Sequence, residues 1–228
     1  MSGDITAYQK GLEVKKDLEG ERKAATTKAP AQPLSVQQQS YWINNCTDFK
    51  HTTDLSITYL KHTSISQGQM NDINKAISYV EQANTGQWLL GEIKNMQNVK
   101  VGVHFFADRS DYPWPSDVNP SETGHTDLMS GIASTPLIYW IRIFAARRTP
   151  ECIAESLFHE LLHVWFLGTH SGHNKDKGTG HDEGATISID QECNKKYAGY
   201  NPDFVKKLDE FDNDLENNIP GAKKCCSE

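Results

Sequence analysis

Two histidines four residues apart, with a glutamate beside the first, constrain this chain more than any other feature: His159-Glu160-Leu161-Leu162-His163. On a helix, residues at this spacing lie on one face, one turn apart. The surroundings ask for a helix, and for a buried one. Ser156-Leu157-Phe158 precede the segment, Val164-Trp165-Phe166 follow it, and none of these carries a charge. Ile153, Leu157, Leu161 and Val164 form an apolar stripe at helical spacing. Thr149 suits the N-cap, Pro150 the first helical position and Glu151 the positive end of the helix dipole. Gly168 suits the stop, so the pattern predicts a helix over 150–168.

Two imidazoles so placed can bind one zinc ion, and a glutamate beside the first can reach a metal-bound water as general base. The plain alternative is a buried helix with incidental histidines. Zinc needs a third protein ligand. The metzincin spacing would put a Gly three and a His six residues after the second His; Phe166 and Thr169 stand there instead. The candidates are His170, His173, His181, Asp182, Glu183 and Glu192. His181 is favoured, because Gly180 and Gly184 would let its loop fold back under the helix. Tyr197, Tyr200 and His125 are candidates for stabilising an oxyanion, although a packing role is the plainer reading of both tyrosines. Five cysteines without a C-x-x-C pair make a cysteine zinc site unexpected and leave room for one or two disulfides.

Elsewhere the chain divides at about residue 40. Residues 1–24 are charged and mildly helical, and 24–40 are rich in Ala, Thr, Pro, Gln and Ser, a composition that buries little. Residues 1–40 therefore read as a flexible tail or a targeting segment, and 41–228 as the folded domain. Leu55, Ile57 and Tyr59 alternate as in a strand. A helix is expected over 66–83, with Ile73, Ile77 and Val80 on one face, then a break at Asn84-Thr85-Gly86 and a short helix over 87–96. Val99, Val101, Val103 and Phe105 alternate in a strong strand pattern, and 137–144 reads as a buried strand. Residues 107–135 hold enough turn formers for a long loop or irregular hairpin. Helices are expected near 186–197 and over 201–217. The sum is an α+β architecture, a small twisted sheet packed against the 150–168 helix with C-terminal helices beneath. Either strand, 99–105 or 137–144, could offer an edge to an extended peptide.

A net charge of −7 argues against nucleic acid, whose phosphates need clustered Lys and Arg, and against anionic membrane surfaces. The first 30 residues lack the apolar core of a secretory signal, and no run reaches membrane-spanning length.

With these residues in view, the chain resembles NleD-type effector metalloproteases, which bacteria inject into host cells. The likeness runs over 70–168: a helix, then Asn84-Thr85-Gly86-Gln87-Trp88-Leu89-Leu90-Gly91-Glu92-Ile93, the strand 99–105, a variable loop and the His-Glu-x-x-His helix. It implies a zincin-like fold, Zn2+ held by His159 and His163, Glu160 as catalytic base, and a polar N-terminus serving as secretion tag. A second likeness is to SprT-like proteases, in which aromatic and aliphatic residues follow the helix and a Gly-His-Gly carries the third ligand. Val164-Trp165-Phe166-Leu167 and Gly180-His181-Asp182 are similar, with a longer gap and Asp182 in place of the second Gly. The resemblances together imply a zinc endopeptidase acting on target-cell proteins. Such a protein would be secreted without a signal peptide, with a chaperone or delivery apparatus as partner, and would otherwise be cytoplasmic. The competing functions are a peptidoglycan-cleaving metallopeptidase and an inactive zincin fold kept as a binding module.

Overall fold

The computed structural model of this chain describes residues 41, 44–54, 56–96, 99–112, 123–130, 137–146, 148–165 and 202–225. In chain order the elements are β1 (Cys46–His51), β2 (Ile57–His62), α1 (Gln67–Gln82), α2 (Asn84–Asn95), β3 (Val99–Phe106), β4 (Gly124–Ser130), β5 (Leu137–Phe144), α3 (Pro150–Trp165) and α4 (Pro202–Asn218). A 3-10 turn spans Arg109–Asp111. The α+β class read from the sequence holds.

The five strands form one mixed sheet in the order β1-β2-β3-β5-β4. β2, β3 and β5 run parallel, and the edge strands β1 and β4 pair antiparallel with their neighbours. Parallel neighbours need a crossover between them, and α1 and α2 supply it between β2 and β3. The sequence pattern located β3 and β5 well but suggested either as an exposed edge. Both are interior strands, paired on two sides. The edges among the described residues are β1 and β4, and β4 falls in the stretch expected to be loop or hairpin.

One face of the sheet carries Ile57, Tyr59, Val101, Val103, Phe105, Tyr139, Ile141 and Ile143 into a single apolar cluster with α1, α2, α3 and α4. α1 begins at Ser66, whose hydroxyl accepts from the Gln69 N–H while the Gln69 side chain accepts from the Ser66 N–H, a reciprocal cap. α3 is buried almost all round, from Ile153 to Val164. A helix placed between a sheet and other helices has no wet face to fill. Thr149 caps it as the sequence suggested, accepting from the Cys152 N–H at 3.3 Å. α4 packs through Phe204, Leu208, Phe211 and Leu215, and Phe211 stacks on Phe158 of α3 with centroids 4.2 Å apart. Past α4 the chain turns at Gly221, which has a φ of 78°, and Cys225 forms a disulfide with Cys152 near the start of α3. This crosslink, of sequence separation 73, ties the end of the described chain to the central helix.

The expected break at Asn84-Thr85-Gly86 is instead the first turn of α2. Its cap comes from α4: Asp214 accepts from both the Thr85 N–H (2.6 Å) and the Thr85 hydroxyl (2.7 Å). Gly86 is needed for the tight turn between α1 and α2, because a Cβ there would lie 2.0 Å from the Val80 carbonyl oxygen. Of the expected elements, the helix near 186–197 lies outside the described residues, as do residues 1–40. No helix among the described residues is long and apolar enough to cross a membrane.

Candidate metal and catalytic site

The central helix puts its polar residues where its neighbours can hold them. His159 is 7 % exposed, Glu160 3 % and His163 0 %. The Nε2 atoms of His159 and His163 converge to 3.1 Å. Two nitrogens bound to one zinc at about 2.0–2.1 Å and tetrahedral angles would lie about 3.3 Å apart, so the pair fits two corners of a zinc site. In the metal-free protein the same separation suits one N–H···N hydrogen bond between complementary tautomers. Phe204, from α4, packs against both rings, with centroids 5.2 Å from His159 and 5.0 Å from His163. It gives the pair an apolar wall that limits how the imidazoles can turn.

Glu160 faces strand β4. The Thr126 hydroxyl, completely buried, donates to Glu160 Oε2 at 2.6 Å and lies 3.1 Å from the Glu160 carbonyl oxygen. Two residues earlier on the same strand, Gly124 leaves space for the carboxylate. A Cβ there would fall 2.8 Å from Glu160 Oε1 and 2.9 Å from its Cγ. The Glu160 side chain therefore lies along β4, between a donor and a gap.

No protein-family model, curated protein or solved structure matches this chain.

The backbone of β4 faces outward as well. Phe144 N–H donates to the Thr123 carbonyl at 3.1 Å. With Gly124 opposite Ile143 and Thr126 opposite Ile141, the antiparallel alternation directs the N–H and C=O groups of Gly124 and Thr126 away from β5. Among the described residues no strand pairs with that side of β4.

The rest of the expected site is only partly placed. His125 lies in the backbone of β4, opposite Arg142. The third-ligand candidates His170, His173, His181, Asp182, Glu183 and Glu192, and the oxyanion candidates Tyr197 and Tyr200, lie outside the described residues. Among the described residues, no group of three or more His, Cys, Asp or Glu is placed to hold a metal ion. Sequence reasoning missed Gly124, Thr126 and Phe204. Phe204 was recoverable from the apolar stripe of α4, but nothing in the local pattern of 124–130 marks its residues as a strand beside the helix.

The opposite face of the sheet holds a second buried polar group. His104 is 1 % exposed and stacks on Trp140 with centroids 4.3 Å apart. Burial first, and the Arg142 guanidinium second, push its pKa down to about 3. Arg142 lies over the Tyr112 ring at 4.6 Å and donates to its hydroxyl.

Proposed function

We propose that this chain is a zinc-dependent endopeptidase with a zincin-like site on α3. The observation that carries the reading is the 3.1 Å convergence of the His159 and His163 Nε2 atoms, beside a buried carboxylate on the same helix. His159 and His163 would hold the ion, with a third ligand expected from 169–192, His181 first among the candidates. When bound, zinc acidifies a water and polarises a carbonyl oxygen. Glu160 then takes the proton of the attacking water and delivers it to the leaving amine nitrogen as the peptide bond breaks. An extended peptide is held most simply as an added strand on the outer edge of β4, next to Glu160. The polar N-terminal segment and the likeness to injected effectors support a protein delivered to a target cell and acting on its proteins.

A second reading is a binding module on an inactive zincin fold. It is favoured by the burial of both imidazoles against Phe204 and by a separation that also suits a plain hydrogen bond. Digestion of a mixed peptide pool, read by mass spectrometry, separates the two. The peptidase reading expects new termini with zinc-supplied wild type and a loss of about 10²–10⁴-fold in Glu160→Gln, the range for a general base. No cleavage by wild type would favour the binding module, and equal cleavage by both proteins would remove Glu160 as the base.

A further inference from the structure

We infer that strand β4 is the seat of the catalytic base, with Thr126 as a positioning residue that fixes the Glu160 carboxylate and Gly124 as the space in which it lies. The inference rests on the zinc-peptidase reading above, and it adds a determinant outside the His-Glu-x-x-His helix.

Two separate observations point to the same strand. Thr126 supplies a 2.6 Å hydrogen bond to Oε2, and Gly124 alone avoids a 2.8 Å approach to Oε1. A glutamate side chain has three torsions, and a base must hold its oxygen within tenths of an ångström of its working position. Thr126 suits that task, because a β-branched side chain is stiff at χ1 and this one is 0 % exposed on a strand paired along its length with β5. A neutral hydroxyl satisfies one oxygen of a buried carboxylate, which would otherwise carry a desolvation cost.

The arrangement also links substrate to base. Gly124 and Thr126 face Glu160 on one side of the sheet and turn their backbone N–H and C=O groups toward the outer edge of β4. A strand added there pairs with the two residues that hold the carboxylate. Binding at the edge and alignment of the base are then one event, and a shift in β4 alters both.

The test compares zinc-supplied wild type with Thr126→Val, Thr126→Ser and Gly124→Ala. Zinc content, the Glu160 rotamer in crystal structures, and kcat and KM on a peptide cut from the pool are measured for each. Valine keeps the shape of threonine and removes the donor; serine keeps the donor. The expected result is wild-type zinc content throughout and a displaced Glu160 in Thr126→Val and Gly124→Ala. Their kcat should fall about 10- to 100-fold, the scale of an ångström of misplacement, while Thr126→Ser stays within about threefold of wild type because the donor remains. An unmoved Glu160 and an unchanged kcat in Thr126→Val would overturn the seat, as would a Thr126→Ser variant as slow as Thr126→Val. Gly124→Ala keeps the question open to measurement if Thr126→Val does not fold. Activity lost in Glu160→Gln but intact in Thr126→Val overturns the seat alone, full activity in Glu160→Gln removes the base and its seat together, and no cleavage by zinc-supplied wild type removes the peptidase reading itself.

Discussion

The two faces of the sheet each bury histidine, and they do so in opposite ways. On the helix-covered face, His159 and His163 direct two ring nitrogens at one another across 3.1 Å, with a carboxylate on the same helix hydrogen-bonded to the neighbouring strand. On the other face, His104 lies flat on Trp140, where burial first and the Arg142 cation second disfavour a proton on the ring. All three rings are almost fully buried. Burial therefore does not distinguish them. What does is whether two ring nitrogens converge.

The largest expected effect would break this comparison outright if absent. Glu160→Gln should lower cleavage about 10²–10⁴-fold below wild type, the range for losing a general base, whereas His104→Phe, which keeps an aromatic ring against Trp140, should leave zinc content and turnover unchanged. A comparable loss of activity in the His104 variant would mean that the far face takes part in the site.

A smaller effect sharpens the contrast through pH. His104 has a folded pKa of about 3, well below its ordinary value near 6.5. Between those values the unfolded chain takes up a proton that the folded chain refuses. His104 therefore favours the unfolded state increasingly as pH falls from about 6.5 toward 3, with a slope of up to about 1.4 kcal/mol per pH unit. Denaturant titrations of wild type between pH 7 and pH 4 should show this loss, and His104→Phe should flatten it. Parallel curves would place the acid sensitivity elsewhere.

The smallest effect concerns a buried carboxylate that is structural. Burial alone would raise the pKa of Asp214, but the hydrogen bonds from Thr85, and then from Asn218, outweigh it and hold the carboxyl below its ordinary range. The stability it contributes is present above the ordinary carboxyl pKa and is lost as pH falls through the lower folded value. Asp214→Ala should cost about 1–2 kcal/mol in urea melts, the scale of a lost helix cap, without touching zinc content. A change in zinc content would show that the α2–α4 contact supports the site.

Long apolar periodicity made much of this fold legible. The stripes of α1, α3 and α4 and the alternation of Val99 to Phe105 each report a buried face that the chain itself encodes. β1 was hidden because an edge strand of Thr47, Asp48, Lys50 and His51 has little apolar face to betray it, and a bulge between Asp48 and Lys50 disturbs its register. The start of α2 was hidden because its cap, Asp214, stands 129 residues away. The same reason hid half of the candidate site. His159, Glu160 and His163 are adjacent in sequence and legible as a unit, but Thr126 and Gly124 acquire their meaning only when β4 is laid beside α3. The sequence leaves open whether Val99 to Phe105 or 137–144 offers an edge, because the side-chain pattern of a strand says nothing about which of its backbone sides is paired.

The central claim is that the two imidazoles on α3 hold a zinc ion, and elemental analysis of the purified protein tests it most directly. Wild type should carry about one zinc per chain, His159→Ala and His163→Ala should carry none, and loss in His181→Ala as well would assign the third ligand. A wild type that binds no zinc when zinc is offered, or a His163→Ala variant that keeps it, would contradict the account.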